Sequence, residues 1–302
     1  MLRFLTIIMI TLAGFDVRSE FSVYGPEYID VEAYEDGFVV LDSEGSLHFY
    51  DSRSRETSSK KPEGMEKSTF ICTVEDAVIA ADSTSMVCFL DGKWISMPVP
   101  EGIHITGIDD FYGGVIATAE EGKLLFWSSP FDNARSVTAD IKGEFIGIDS
   151  FGDRCHAVTD SSETVAVDLA LRTKVFDFND CYSDYYGDID IISIASGSTS
   201  VCITGTRTDG SPAAFVSSDG NVWSERSMDY LENGSMMYLD RKPITAAYRE
   251  YDDCYVLLCE GGVIFHLPAC SHCNYPIFSG SENLNSIAFN GRSFMAVGDS
   301  IY

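Results

Sequence analysis

Positive charge is scarce in this 302-residue chain: 20 lysines and arginines stand against 47 aspartates and glutamates, a formal net charge of −27 at pH 7. A field of that sign repels phosphate backbones and anionic bilayers, so it argues against nucleic-acid binding and surface attachment to membranes. Cationic partners, meaning metal ions or basic protein patches, are favoured instead. Long apolar runs are missing too. The stretch from Leu2 to Phe15 is too short to span a bilayer, and nothing after it approaches transmembrane length. With Arg3 at its start and Val17-Arg18-Ser19 behind it, residues 1–19 read as a signal peptide cleaved after Ser19. That predicts one domain over residues 20–302, secreted or held in a secretory or periplasmic lumen. No stretch carries an apolar 3.6-residue period of useful length, so little helix is expected. Local catalytic signatures are also absent: there is no HExxH among the five histidines, no Walker loop, no G-x-S-x-G and no G-x-G-x-x-G.

What the chain has instead is a repeat. Residues 38–50 read as a short apolar strand, an acidic turn with a glycine, and a second strand. The same figure returns at 78–90, 115–127, 155–167 and 254–267, with a half copy at 294–299 and a looser one around 206–209. One further strand precedes each hairpin, at 29–34, 69–74, 105–109, 145–150, 191–196, 244–248 and 286–289. A hairpin repeat of about 40 residues is the mark of a β-propeller with one four-stranded sheet per repeat. The spacing predicts an all-β fold of seven four-stranded blades. The last blade would be closed by the N-terminal strand Phe21-Ser22-Val23-Tyr24-Gly25, which removes two exposed edges.

Nine cysteines in an oxidising compartment should partly pair, the odd count leaving at least one over. Cys155, Cys202 and Cys254 stand where other repeats place Phe or Val, and read as small buried apolar residues. Cys181, Cys270 and Cys273 lie in loop-like sequence and are the disulfide candidates. Asn233-Gly234-Ser235 is a glycosylation sequon.

Function on a propeller is carried by a site, since the fold hosts unrelated activities. Long insertions are the first place to look, and three interrupt the repeat, at 51–67, 177–190 and 224–242. The first is a basic island with Arg53, Arg55, Lys60, Lys61 and Lys67. The second interleaves aspartates with aromatics. Its Tyr182, Asp184, Tyr185, Tyr186 and Asp188 suit contact with a basic protein surface, and Asp177, Asp180 and Asp184 suit Ca²⁺, a hard cation that takes several oxygens. No other cofactor is implied. Arg207, Arg226, Arg241 and Arg249 would suit a carboxylated sugar if they converged on the central depression.

Two passages resemble a known repeat class. Ser217-Ser218-Asp219-Gly220-Asn221-Val222-Trp223 resembles an Asp-box turn, one residue short of the usual S-x-D-x-G-x-x-W, and residues 286–300 are similar to the blade that accompanies such boxes in photosystem-assembly-factor-like propellers. The resemblance covers about 24 residues and implies a structural role for Ser217, Asp219, Gly220 and Trp223, away from any active site. The reading that follows is a secreted, non-enzymatic propeller that recognises a protein or glycan partner. The alternatives are a sialidase-like or other carbohydrate-active hydrolase working in the central depression, and a calcium-dependent adhesion or lectin-like module.

Overall fold

The computed structural model describes residues 27–232, 235–268, 275–279, 283–299 and 301–302, together with a small hairpin of Ile10–Leu12 against Phe15–Val17. From Tyr28 onward the chain runs through antiparallel sheets arranged around one axis. Six of them are four-stranded. Their first strands are Tyr28–Tyr34, Phe70–Val74, Ile105–Phe111, Phe145–Phe151, Ile189–Ser196 and Pro243–Arg249, and these line the axis. They match the sequence-predicted first strands to within two residues at either end.

Second strands are buried along their whole length, as in Gly37–Asp42, Gly114–Ala119 and Cys254–Cys259. Each is covered on both faces by neighbouring blades, which is why they read as unbroken apolar runs rather than alternating ones. Outer strands such as Glu56–Lys60 and Arg135–Thr138 meet water on at least one face and are polar. The acidic residues of the hairpin turns have a local task. Asp42 accepts the Glu44 and Ser46 amides at 2.9 and 2.8 Å, and Asp82 accepts those of Thr84 and Ser85, both at 2.7 Å. Asp168 does the same for Ala170 and Arg172. Part of the acidity of the chain is thus turn chemistry.

The expected count of seven four-stranded blades is corrected to six. The seventh first and second strands, Leu284–Phe289 and Phe294–Gly298, form a two-stranded sheet lodged between the sixth blade and the first. Asn285 donates to the Tyr28 carbonyl and Ser286 to Asp30, both at 2.8 Å, and Leu284, Ile287 and Ala296 pack on Cys254, Val256 and Leu258. Only four residues follow Gly298 in this sequence. Ile301 bridges Val297 and Tyr302 exchanges two backbone bonds with Ala296, the start of a third strand. The proposed closing strand at 21–25 lies outside the described residues.

The insertion at 177–190 is mainly helix, not loop. Phe178–Tyr186 forms nine residues of α-helix capped by Asp177, whose side chain accepts the Asp180 amide at 2.9 Å. The insertion at 224–242 forms a second small hairpin, Asp229–Glu232 against Ser235–Tyr238.

Candidate binding face and axial cavity

At the end of the axis where the first strands turn into the second, the ring opens into a cavity of about 400 Å³. Its wall carries Asp30 and Glu32 from the first blade, Asp109 and Asp110 from the third, Asp149 from the fourth and Glu250 at the mouth. Among the described residues, no lysine, arginine or histidine lines it. Strand register explains the grouping. Glu32, Asp109 and Asp149 each sit two residues before the last paired residue of their first strand, namely Tyr34, Phe111 and Phe151. In the second blade Cys72 takes that place before Val74.

Three of the carboxylates tie neighbouring blades together. Asp109 accepts the Ser150 amide at 2.5 Å, and Asp149 accepts the Ser196 amide at 2.6 Å. Hydroxyls return the link, Ser196 to the Asp149 carbonyl at 2.7 Å and Ser150 to that of Asp110. Asp30 accepts from Ser286 at 2.8 Å and from the Val31 amide at 2.9 Å. The carboxyls of Glu32 and Asp110 accept no hydrogen bond among the described residues. All five are held above the usual carboxylate range, first by burial. Asp30 and Asp110 rise to about 6 and Asp149 to about 7. Glu32 and Asp109 are pushed well up by burial and then by their acidic neighbours. Like charges so close in a partly dry cavity cannot all ionise cheaply.

The turns around the mouth continue the pattern. Glu35, Asp36, Glu75, Asp76, Asp153, Glu250 and Asp252 are exposed there, with Arg292 as the exposed cation on the same turns. Two tyrosines stand among them, Tyr112 and Tyr251, the latter 85% exposed. Tyr112 adopts φ 52° ahead of Gly113 at φ 73°, the pair of left-handed residues that a type I′ hairpin turn needs. A left-handed conformation is costly for a tyrosine, and such residues gather at functional sites.

The sequence-predicted contact residues lie elsewhere, on the helix that leads into the first strand of the fifth blade from its other end. Tyr182 and Tyr186 pack inward: Tyr182 stacks on Phe178 at 5.1 Å and its hydroxyl accepts the Trp223 amide at 2.9 Å, while Tyr186 meets Phe215 at 5.2 Å. Asp184, Tyr185 and Asp188 are exposed. Two of the three acidic residues raised as calcium ligands are already engaged by a cation, since Lys142 pairs with Asp177 and, at 3.1 Å, with Asp180. Cys181 is exposed and unpaired, and Cys270, Cys273 and Asn233 lie outside the described residues. The other six described cysteines are free and buried.

The four arginines do not converge. Arg207 pairs with Glu225, Arg241 with Asp240 at 3.4 Å, and the fully buried Arg249 with Asp252, its Nε at 2.7 Å. None lines the axial cavity, whose acidity would repel a carboxylated sugar. That removes the arrangement on which the sialidase-like alternative rested. Asp252, Cys254 and His266 offer ligand atoms within 4.8 Å of one another. Both oxygens of Asp252, however, accept from Arg249, so the cluster is charge-balanced without a metal ion. In the Ser217–Trp223 turn, Asp219 accepts the amides of Asn221 and Val222 at 2.9 and 3.0 Å, which holds its carboxyl down at about 2, and Trp223 is buried.

Neither a protein-family model nor a curated protein sequence matches the chain. Solved β-propellers do. The RRP9 WD40 repeats superpose with a TM-score of 0.72 at 11% identity, covering 98% of both chains. BBS1N, crystallised in complex with ARL6DN, gives 0.67 at 8% identity over 98% of this chain and 96% of that one. The β-propeller domain of Cps50 (Swd1) from Myceliophteria thermophila gives 0.66 at 10% identity, over 93% and 98%. At such identities the likeness establishes the fold: the chain is a β-propeller. No described helix is long and apolar enough to cross a membrane.

Proposed function

We propose that this propeller is a non-enzymatic protein-interaction scaffold whose axial face takes a basic segment of a partner, with one lysine or arginine side chain entering the cavity. The observation that carries the reading is a cavity walled by six carboxylates with no cationic side chain among the described residues that line it. An entering ammonium or guanidinium group would meet Glu32 and Asp110, which have no hydrogen-bond donor of their own among the described residues. The exposed acids of the mouth would steer a basic partner inward, and Tyr112 and Tyr251 would supply apolar anchor area at its edge. The BBS1N propeller was crystallised with a protein bound, which is consistent with this use of the fold. Secretion, carried by residues 1–19, belongs to the same proposal; a glycan would have to bind through the tyrosines of the mouth.

Anisotropy of a labelled lysine octapeptide tests the reading. Binding should saturate, weaken as salt is raised, and be tighter at pH 8 than at pH 5.5. Asp30, Asp110 and Asp149, with carboxyls at about 6 to 7, are largely protonated at the lower value. A glutamate octapeptide should not bind. Equal affinity at both pH values would refute the role of the cavity.

A further inference from the structure

The hairpin inserted between the fifth and sixth blades is unlike the rest of the surface. Its first strand, Asp229–Glu232, is the anchored one: Tyr230 meets Phe265 edge-on at 6.0 Å, and the flanking Met228 and Leu239 are buried in the core shared by the two blades. Its second strand, Ser235–Tyr238, is an edge strand that pairs, among the described residues, with the first alone. All four of its residues are exposed, with Met236 at 67%. Consecutive exposed Met-Met-Tyr on a free sheet edge invites strand pairing, and a hairpin of two strands is itself marginal until a third joins it.

Charge indicates which strand that is. Residues 226–242 hold Arg226, Arg241 and Lys242 against Asp229, Glu232 and Asp240, so the segment is neutral within a chain of net charge −27. Two copies of so acidic a protein repel each other over most of their surfaces, and a neutral segment relieves that repulsion where copies meet. We infer that Ser235–Tyr238 is a self-association edge, pairing antiparallel with the same strand of a second copy about a two-fold axis. The product is a four-stranded sheet made of two hairpins, the width of an ordinary blade, with Met236 opposite Met236 of the second copy, because Met236 and Tyr238 are the residues whose backbone groups face the outer edge. An isologous contact of this kind closes at two copies and does not propagate. It leaves the axial face of each copy free, so the inference stands or falls independently of the proposed function.

The contact is small, so the dimer should be weak, with a dissociation constant on the order of tens to hundreds of micromolar. Sedimentation velocity of the full chain between about 5 and 500 µM tests it, at low and high salt. The expected result is a monomer–dimer equilibrium that strengthens with salt, because screening removes the repulsion between the acidic bodies. Met236→Lys places like charges at the contact, and Met236→Pro removes an amide that faces the outer edge while leaving the bonds to the first strand in place. Each should weaken association at least tenfold. Met236→Lys should leave the melting temperature unchanged, which separates loss of pairing from loss of fold. A monomer throughout the concentration range, or a dimer that Met236→Lys leaves intact, overturns the inference.

Discussion

Replacing Asp110 by asparagine removes one negative charge from the axial cavity and keeps the shape of the side chain. The carboxyl sits at about 6 because of burial, against an ordinary value of 3.8. A folded-state value raised above the unfolded one means that the group prefers its proton in the fold. Its contribution to stability is complete below about pH 4 and is lost as pH rises through about 6. A rise of about two units corresponds to about 3 kcal/mol at pH 8, and the opening of the cavity to solvent reduces this to about 1–3 kcal/mol. An amide has no proton to lose, so Asp110→Asn should stabilise the protein by that amount at pH 8 and leave it unchanged at pH 4. For a domain of this size the gain is about 2–6 °C in Tm. Calorimetry or thermal circular dichroism at the two pH values reads it directly. A lower Tm at pH 8, or the same gain at both pH values, would refute the electrostatic account of the cavity.

The wild-type protein itself should melt higher near pH 5 than at pH 8 in the same buffer series, because all five cavity carboxyls shift in the same direction. Arg249→Ala should cost about 3–5 kcal/mol in denaturant unfolding, since it leaves Asp252 without the buried guanidinium it pairs with. Arg241→Ala, at an exposed pair, should cost under about 1 kcal/mol. Ser196→Ala removes the hydroxyl that links the fourth and fifth blades and should cost about 1 kcal/mol by the same assay. Asp177→Ala uncaps the helix at 178–186 and removes one of the two carboxylates that pair with Lys142, with a loss of about 1 kcal/mol and reduced amide protection confined to residues near that helix.

Much of the fold is readable in the chain because each blade carries its own local signals. The apolar second strands, and turns such as Asp42-Ser43-Glu44-Gly45, recur at a nearly constant spacing. All seven first strands could be placed this way. The number of four-stranded blades could not, because it depends on whether enough chain follows Phe294–Gly298 to build outer strands. The helix at 178–186 was hidden because its aromatics cover the Phe215 and Trp223 side of a blade and do not follow a clean apolar period of their own. The same aromatics made the segment resemble a binding loop, although Tyr182 and Tyr186 serve packing. The axial carboxylates went unnoticed for a different reason. Glu32, Asp109 and Asp149 are scattered along 118 positions and come together only when the ring closes. One signal was available: a carboxylate two residues before the last paired residue of three first strands, Glu32, Asp109 and Asp149.

The most direct test of the axial site is the affinity of the lysine octapeptide for two double variants that each replace two carboxyls by amides. In Glu32→Gln/Asp110→Asn the carboxyls come from the cavity. In Asp184→Asn/Asp188→Asn they come from the exposed helix and the turn after it, at the other end of the blades. The cavity pair should weaken binding at least tenfold and the helix pair by less than twofold. Equal losses in the two would mean that the peptide reads only net charge, and that the cavity is not where it binds.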